Sequence, residues 1–316
     1  ISIPKDITNE EAFVLRRLLD GPWKGARVVM QGRSRVPAPA ADTLPIRDLE
    51  NARCIVVIAS DTADDVPVVN LRIKKAVSRN GARLVLVHPD ELDLDRWPHG
   101  VHHVRPAAGG YADAVRQLRD HEYLKSGPVA VLYGDARGTE DAEAIATAAA
   151  GLAEAVGGAL MPLYRATNER GAHHLGLLSD AADLEGCEAV LIWGPGQPPA
   201  SARFTAVWDF LLRPEHGGEP DVLLPGVSFA ENHGSYTNLE GRVQFLRPPL
   251  HIEPPLRESW DVLQDLGQRQ GLDLAYLGVL AIQKDAAEAV PALAALADPP
   301  TGVPAPTPVL YGPARP

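Results

Sequence analysis

Cys54-Ile55-Val56-Val57-Ile58-Ala59 is an apolar run with no polar interruption, and Ser60-Asp61-Thr62 follows it directly. A continuous apolar run of this length is typical of a strand that is buried on both faces of a parallel sheet. The three residues after it favour a helix N-terminus, and the apolar spacing over 68–79 predicts a helix that ends before Gly81. Residues 83–88 predict the next strand. Strand, helix and strand in this order indicate an α/β fold.

The alternation of strands and helices extends over most of the chain. An N-terminal helix is predicted with Thr8 as its N-cap and Gly21-Pro22 at its end. Further strands are predicted at 26–30, 101–104, 129–133 and 188–193, and further helices at 111–124, 140–156 and 260–271. Residues 204–208 favour a strand, although a segment of this length is also compatible with a helix. This order predicts parallel βαβ units, with the strands 54–59 and 188–193 at the centre of two sheets.

A faint internal repeat bears on the domain organisation. Residues 48–58 and 183–193 each contain an acidic turn and then a buried strand, at an offset of 135 residues. One interpretation is that any two buried strands look alike. The other is that two related α/β halves face each other, divided near 126–128.

We expect three regions on this basis. The first α/β domain, with the N-terminal helix, is expected at 1–126 and the second α/β domain at 127–256. Residues 257–316 are expected to hold C-terminal helices and a Pro-rich tail. Seven prolines fall within the last 18 residues, 299–316, and this composition is typical of polyproline II or disorder.

Composition and charge exclude several classes of protein. The 316 residues carry a net charge of −11 with a pI near 5.4, so nucleic acid is not an expected partner. The two cysteines, Cys54 and Cys187, stand in unrelated contexts and do not make a disulfide scaffold, a zinc ribbon or an iron–sulfur site. No metal-ligand spacing accompanies the ten histidines, and no GxSxG or GxxxxGK[ST] motif occurs. We therefore expect no metal site and no catalytic residue in this chain.

No apolar run approaches the ~18–20 residues that a membrane-spanning helix needs, so direct membrane insertion is not expected.

The loop after the strand 188–193 lies where α/β proteins bind phosphates, and it reads Gly194-Pro195-Gly196-Gln197-Pro198-Pro199. It has no third glycine, and its prolines prevent a helix from starting there. The loop therefore fails as a dinucleotide fingerprint.

The most distinctive segment is Glu231-Asn232-His233-Gly234-Ser235-Tyr236-Thr237-Asn238-Leu239-Glu240-Gly241-Arg242. In an extended chain the alternating Asn238, Glu240 and Arg242 would lie on one face. We expect these three side chains to hydrogen-bond in the crevice between the two halves, because a buried polar run must be satisfied internally. A polar loop of this kind is usually functional or a docking element.

This segment resembles the E-x-x-G-T-x-x-N-x-E-G-R element of the molybdopterin oxidoreductase family. Asp221-Val222-Leu223-Leu224-Pro225 is similar to the family's A-D-V-V-L-P strand. Within the family, the likeness is greatest to the large iron–sulfur subunit of NADH:quinone oxidoreductases, or respiratory complex I. Thr8-Asn9-Glu10-Glu11-Ala12-Phe13 resembles the T-N-E-E-A-Y segment of that subunit, and residues 61–72 resemble its S-D-P-x-E-E-A-P-V-L segment.

The resemblance, which covers about 7–265, implies two related parallel-sheet, Rossmann-like domains. In catalytic relatives the crevice between them holds a bis-pterin-guanine-dinucleotide molybdenum or tungsten cofactor. The complex I subunit looks like a family member that kept the scaffold and lost this cofactor. Its iron–sulfur clusters belong to an N-terminal region outside this chain. No bound cofactor is therefore expected here. The candidates for a vestigial crevice are Gly194, Gly196, Asn238, Glu240, Gly241 and Arg242.

The role implied is a structural part of the large iron–sulfur subunit that supports electron transfer from NADH to quinone. The implied partners are the other peripheral-arm subunits of complex I, and the implied location is peripheral, on the cytoplasmic side of the inner (plasma) membrane. The alternative is a pterin-binding molybdenum or tungsten oxidoreductase fragment, similar to formate dehydrogenase or nitrate reductase. A third hypothesis is a nucleotide-binding module that uses the crevices at the strand ends.

Overall fold

The computed structural model of the chain describes residues 1–38, 43–97, 100–178 and 183–298, so the Pro-rich segment 299–316 lies outside the described residues. The described strands are β1 (Ser2–Ile3), β2 (Val29–Met30), β3 (Cys54–Ile58), β4 (Arg83–Val87), β5 (Val101–Val104), β6 (Val129–Tyr133), β7 (Ala159–Pro162), β8 (Ala189–Trp193), β9 (Phe204–Asp209), β10 (Val222–Pro225), β11 (Gly234–Thr237) and β12 (Val243–Leu246). The described α-helices are α1 (Asn9–Asp20), α2 (Thr62–Asp65), α3 (Pro67–Asn80), α4 (Tyr111–Gln117), α5 (Ala142–Val156), α6 (Glu169–His174), α7 (Ser259–Arg269) and α8 (Val279–Ala289). None of these helices combines the length and the apolar character needed to cross a membrane.

Two five-stranded sheets organise the described residues. β3 is central in the first sheet, which we call the β3 sheet, with the order β5-β4-β3-β6-β7. β8 is central in the second, the β8 sheet, with the order β10-β9-β8-β1-β2. All pairings in both sheets are parallel. The α/β class with two parallel sheets, and the central position of the two predicted strands, are confirmed.

The two sheets have the same spatial arrangement but reach it by different routes along the chain. In each sheet the two strands that follow the central strand lie on one side of it. The other side is filled by the later strands β6 and β7 in the β3 sheet, and by the earlier strands β1 and β2 in the β8 sheet. Residues 48–58 and 183–193 thus lead into equivalent positions, which favours related halves over a chance likeness.

The expected boundary between residues 126 and 127 runs through the β3 sheet and needs correction. β6 lies beyond that boundary, yet it pairs with β3 along its whole length, from Cys54↔Val129 to Ile58↔Tyr133. Residues 54–162 supply every strand of the β3 sheet, whereas the β8 sheet joins β1 and β2 to β8, β9 and β10. The sequence indicates a loop near 126–128 but contains no signal for the strand that pairs across it.

Alternating side chains of β3 separate two apolar clusters. Cys54, Val56 and Ile58 pack on the side covered by α4 and α5. Ile55 and Val57 pack on the opposite side, against α3. All five residues of β3 are buried, as expected for a parallel sheet with helices on both faces.

The β8 sheet is covered differently on its two faces. On one face, Trp193 and Trp208 stack at 4.5 Å between ring centroids and belong to the cluster that contains α1, α7 and α8. On the other face, Val190, Ile192 and Val207 are buried under residues of the neighbouring loops. The connections β8–β9 and β9–β10 contain no α-helix, and in the described part of the chain the helices pack on the face of Trp193 and Trp208.

Several local predictions are refined by the structure. The helix predicted over 111–124 stops at Gln117 and continues as 3-10 turns at Leu118–Asp120 and Glu122–Lys125. His121 interrupts it with an extended backbone, and its side chain caps the second turn by accepting a hydrogen bond from the Tyr123 amide. The short elements β1, β7 and α6 have too few residues to give a periodic signal in the sequence.

A fragment pair tests the corrected boundary. We expect residues 43–165, which contain the whole β3 sheet, to fold alone and to unfold cooperatively in urea. Residues 1–126 should remain unfolded, because β3 then lacks its partner β6 and one side of its apolar core. Circular dichroism and amide exchange of the two fragments would measure this, and a cooperative transition for 1–126 would contradict the assignment.

Candidate functional site

Each sheet forms a crevice at the carboxyl end of its central strand. There the connections to the strands on its two sides run in opposite directions. In the β3 sheet this is a cavity of about 500 Å³ between the ends of β3, β4, β5 and β6. In the β8 sheet it is a cavity of about 420 Å³ beyond the ends of β1, β8, β9 and β10. These two cavities are where an α/β protein of this kind would hold a ligand.

The crevice of the β3 sheet is strongly acidic. The carboxylates that line it are Asp61, Asp64, Asp65, Asp90, Glu91 and Glu140. Among the described residues that line it, Arg137 is the one Lys or Arg, and it already pairs with Asp64 at 3.2 Å and Asp65 at 3.3 Å. Those carboxylates, Asp65 first, raise the pKa of the Arg137 guanidinium. A pyrophosphate would meet more repulsion than attraction here.

Backbone conformation at this crevice is unusual. The described non-glycine residues with positive φ are Ala59 (57°), Ala136 (50°) and Arg137 (53°), and all three line the cavity. Left-handed backbone costs energy for a residue with a side chain, and it persists where the surrounding structure enforces it. The turns that follow β3 and β6 are therefore held in a fixed shape, although the charge of the crevice does not suit an anion.

In the crevice of the β8 sheet, Gly194 and Gly196 occupy the predicted loop after the central strand. The amide of Gly194 already donates to the carbonyl of Trp208 at 2.8 Å, which continues the sheet ladder. The carbonyl of Gly194 accepts from Nε2 of the buried His216 at 3.1 Å. Pro195 has no N–H to offer. The loop therefore has few free donors for a phosphate.

A buried ion pair stands beside this loop. Arg213 Nε donates to the Asp209 carboxylate at 2.7 Å, and only 2% of the Asp209 side chain is exposed. His216 Nδ1 accepts from the Arg213 amide at 3.1 Å, so its proton is on Nε2 and points to Gly194. The Arg213 guanidinium is therefore paired with a carboxylate at the end of β9. In the same way, Arg137 is paired with carboxylates in the crevice of the β3 sheet.

The distinctive polar segment forms a hairpin rather than an extended run. β11 and β12 are antiparallel, and the Asn238 side-chain oxygen accepts from the amides of Glu240 at 3.1 Å and Arg242 at 3.0 Å. Asn238 therefore shapes the turn. The expectation that Asn238, Glu240 and Arg242 share one extended face is wrong, because the turn reverses the chain between them.

Glu240 and Arg242 have different environments. The Glu240 carboxylate accepts a hydrogen bond from the amide of Ile46. Ile46 precedes β3 and lies on the side of the molecule that holds the β3 sheet. The side chain of Arg242 is 62% exposed and lies 3.5 Å from that carboxylate. The expectation of a buried Arg242 is therefore wrong, while Glu240 does connect the hairpin across the two halves.

Arg170, which no motif in the sequence indicates, contacts the turn of the hairpin. Its Nη1 donates to the Leu239 carbonyl and to Thr43 Oγ1, each at 2.7 Å. A Cβ on Gly241, whose φ is 84°, would lie 2.7 Å from this guanidinium. Gly241 is therefore needed both for the turn and for the close approach of Arg170.

The two segments that carried the family resemblance contact each other in a buried polar network. Thr8 caps α1 in a capping box with Glu11. Glu10 Oε2 accepts from the Ser235 amide at 2.8 Å, and Glu11 Oε1 accepts from Asn232 Nδ2 at 2.9 Å. Gly234 permits this approach, since a Cβ there would lie 2.7 Å from the Glu10 carboxylate.

Asn168, which directly precedes α6, completes the network. Its Oδ1 accepts from the Thr237 amide at 2.7 Å, and its Nδ2 donates to the Ile7 carbonyl at 2.8 Å and to Asn9 Oδ1 at 3.1 Å. Asn168 is fully buried. Nothing in the sequence singles out this residue, because its partners lie far from it along the chain.

Carboxyl groups in this network are buried among neutral donors. Burial raises the pKa of Glu10 from 4.5 to about 7, and it also raises the pKa of Glu11. Burial raises the pKa of Glu169, whose carboxyl accepts from the amides of Ser34 at 3.0 Å and Ala166 at 3.1 Å. These groups hold backbone in place, and none of them lines the crevice of the β3 sheet.

The hairpin lies inside the part of the chain that matches a known family. Residues 217–269, from the loop before β10 to the end of α7, match the molybdopterin oxidoreductase family model. The resemblance to the molybdopterin oxidoreductase family is confirmed. The match includes the turn residues Asn238, Glu240, Gly241 and Arg242.

Curated relatives extend the likeness over most of the chain. The chain is 24% identical over 256 residues to the mitochondrial NADH-ubiquinone oxidoreductase 78 kDa subunit of Neurospora crassa, a match that covers 78% of this chain and 34% of that protein. It is 25% identical over 286 residues to NADH-quinone oxidoreductase subunit 3 of Thermus thermophilus, covering 77% of this chain and 36% of that protein. The chain thus spans about a third of the length of these relatives.

A solved structure shares the fold. A chain of the formyltransferase/hydrolase complex from Methylorubrum extorquens, crystallised with methylofuran, matches with a TM-score of 0.53 and 14% identity. The match covers 86% of this chain and 92% of that chain. At this identity the likeness shows the fold alone.

Two substitutions separate the buried network from the exposed turn. Asn168→Ala should lower the free energy of unfolding by about 2–4 kcal/mol, because the buried Thr237 amide and the Ile7 carbonyl lose their partner. Arg242→Ala, the control, should change it by less than about 0.5 kcal/mol, since its side chain is mostly exposed. Urea denaturation measures both, and equal losses would contradict this account of the hairpin.

Proposed function

We propose that this chain is a structural, cofactor-free part of the large iron–sulfur subunit of a respiratory complex I. It supports electron transfer from NADH to quinone as a rigid body in the peripheral arm, next to the subunits with which that arm is assembled. The iron–sulfur clusters are carried by a region of the subunit outside this chain. The protein then lies on the cytoplasmic side of the membrane that holds the complex.

The proposal is supported by the relatives that match most of the chain. They are subunits of NADH-ubiquinone or NADH-quinone oxidoreductases by name, and both matches cover more than three quarters of this chain. The resemblance was visible in two segments of the sequence, at 8–13 and 231–242. In the fold these two segments pack on each other through Glu10, Glu11, Asn232 and Ser235, so the resemblance involves the core of the molecule.

The observation that best supports a chain without a bound cofactor is the charge of the crevice in the β3 sheet. A bis-pterin cofactor brings two pyrophosphates, which need free cations and N–H donors at the strand ends. Six carboxylates line this crevice, and its Arg137 is committed to Asp64 and Asp65. In the other crevice the Gly194 amide donates within the sheet and Arg213 pairs with Asp209, while Lys5 is an exposed cation in its lining. The residues of the β3 crevice do not fit a pyrophosphate of the cofactor.

The alternative is a pterin-binding molybdenum or tungsten oxidoreductase fragment, and metal analysis distinguishes the two. Expressed in a host that makes the pterin, the chain should contain far less than one molybdenum or tungsten per chain. It should also lack the fluorescence of oxidised pterin. A pterin-binding relative purified in parallel is the positive control. Stoichiometric metal together with pterin fluorescence would overturn the proposal.

Substitutions in the intact complex test the structural role. With Asp90→Asn and Glu91→Gln in the acidic crevice, we expect unchanged assembly and an unchanged NADH:quinone rate, because no ligand uses these side chains. Asn168→Ala, in the buried network, should reduce the amount of assembled complex without changing the rate per assembled complex. Native gels and NADH oxidation by membranes measure both quantities. A crevice variant that assembles normally but loses the rate would contradict a purely structural role.

A further inference from the structure

Glu10 lies at the contact of three elements and is fully buried there. It belongs to the first turn of α1, and its carboxyl accepts from the Ser235 amide at 2.8 Å and the Ser235 hydroxyl at 3.0 Å, both on β11. From α8, Gln283 Nε2 donates to the same carboxyl at 2.7 Å. Every hydrogen bond that these elements give to the carboxyl comes from a neutral group. An ionised carboxylate at this place receives no counter-charge from these donors.

Gln283 has an unused acceptor at the same contact. Its side chain is buried with 4% exposed, and its Oε1 has no hydrogen-bond partner in the part of the chain that the structure describes. A buried amide oxygen without a donor is costly, by about 1–3 kcal/mol. A protonated carboxyl gains one O–H donor and keeps its acceptor oxygen. Protonated Glu10 therefore has the O–H donor that the amide oxygen of Gln283 lacks, and its other oxygen can still accept from the amide nitrogen.

We propose that Glu10 is a proton-dependent latch between α1 and α8, closed through Gln283 when its carboxyl is protonated and weakened when the carboxyl ionises. The protonated acid and the amide satisfy each other. The ionised acid leaves Gln283 Oε1 without a donor, and the hydrogen bonds that Ser235 and Gln283 give to its charge come from neutral groups. Docking of α8 on α1 thus depends on a single proton.

The groups that face Glu10 from its own side of the contact do not compensate its charge. Glu11, next in α1, is itself a buried carboxyl that accepts from the Thr8 amide and from Asn232. Tyr236, on β11, has its pKa raised by burial first and then by the charges of Asp6, Glu11 and Glu10. None of these groups is a cation, so none of them supplies a counter-charge to ionised Glu10.

The groups on the side of α8 are also committed. A groove of about 360 Å³ between the hairpin and α8 is lined by Gln283, His233, Glu258 and Arg247. His233 Nδ1 lies 2.6 Å from the Glu258 carboxylate, so this pair is satisfied within the groove. No contact joins the Glu10 carboxyl to a Lys or Arg among the residues described on α1, β11 and α8.

The direction of the pH effect follows from the burial. The pKa of Glu10 is about 7 in the closed state and near 4.5 when water reaches it. Below pH 4.5 the carboxyl is protonated in both states and docking is strongest. Between 4.5 and 7 it ionises only in the open state, so docking weakens as the pH rises. Above 7 both states are ionised and the effect becomes constant.

Hydrogen exchange of the intact chain at pH 6 and pH 8 tests the latch, and both values avoid the pI of 5.4. After correction for the intrinsic pH dependence of exchange, the protection of amides in α8 should fall about tenfold from pH 6 to pH 8. Peptides from β3, remote from Glu10, are the internal reference and should show no change. In Glu10→Gln, whose side chain cannot ionise, the fall in α8 should disappear.

A second variant keeps the test decisive if Glu10→Gln does not fold. Gln283→Met removes the amide through which the latch closes, so α8 should be less protected at pH 6 and the fall in its protection between pH 6 and pH 8 should become smaller. Constant protection of α8 between pH 6 and 8 in the unmodified chain would overturn the proposal. A tenfold fall that persists in Glu10→Gln, or a pH profile that Gln283→Met leaves in place, would also overturn it.

Discussion

The hairpin of β11 and β12 is a two-stranded ribbon inside the molecule, and the outer edge of β11 must find hydrogen-bond partners there. Ser235 and Thr237 are buried, and each points its amide away from β12. A buried amide without an acceptor is rarely tolerated. The acceptors come from two distant parts of the chain, Glu10 on α1 and Asn168 before α6. The position of α1, α6 and the hairpin relative to one another follows from this one requirement.

The same hairpin connects the two sheets. Its strands lie against α1, which packs with the core of the β8 sheet. Its turn reaches the other side, where the Leu239 side chain packs on the clusters of the β3 sheet and Glu240 accepts from Ile46. Arg170 fixes the turn between these contacts. The segment that is most distinctive in sequence is therefore a connector in the structure.

The two crevices have the position of α/β binding sites, and their charged side chains largely pair with one another. The turns beyond β3 and β6 keep their strained backbone at Ala59, Ala136 and Arg137. Two of the cations that line the crevices, Arg137 and Arg213, are paired with neighbouring carboxylates, while Lys5 also lines the crevice of the β8 sheet. The shape of such a crevice depends on sheet pairing, whereas the binding of an anion there depends on a few exposed charges.

Local chemistry in the sequence was sufficient for the elements with strong periodic or capping signals. The apolar runs at β3 and β8 identify central strands, because only a strand with neighbours on both sides and cover on both faces can be apolar throughout. Thr8 and Glu11 determine the start of α1 through the capping box, and Gly81 ends α3 in a left-handed conformation. The likeness of 8–13 and 231–242 to one family could also be found without coordinates.

Tertiary structure alone decided which strands pair and which polar groups are buried. β6 joins β3 across the expected boundary, since strand pairing is a contact over long sequence separation that no local pattern encodes. Asn168 and Arg170 became part of the site only when folding brought α6 beneath the hairpin. Arg242 stayed in solvent because a turn replaced the extended run. Burial, pairing and the raised pKa of Glu10 are properties of the packed molecule, since they depend on groups that are neighbours in space and not along the chain.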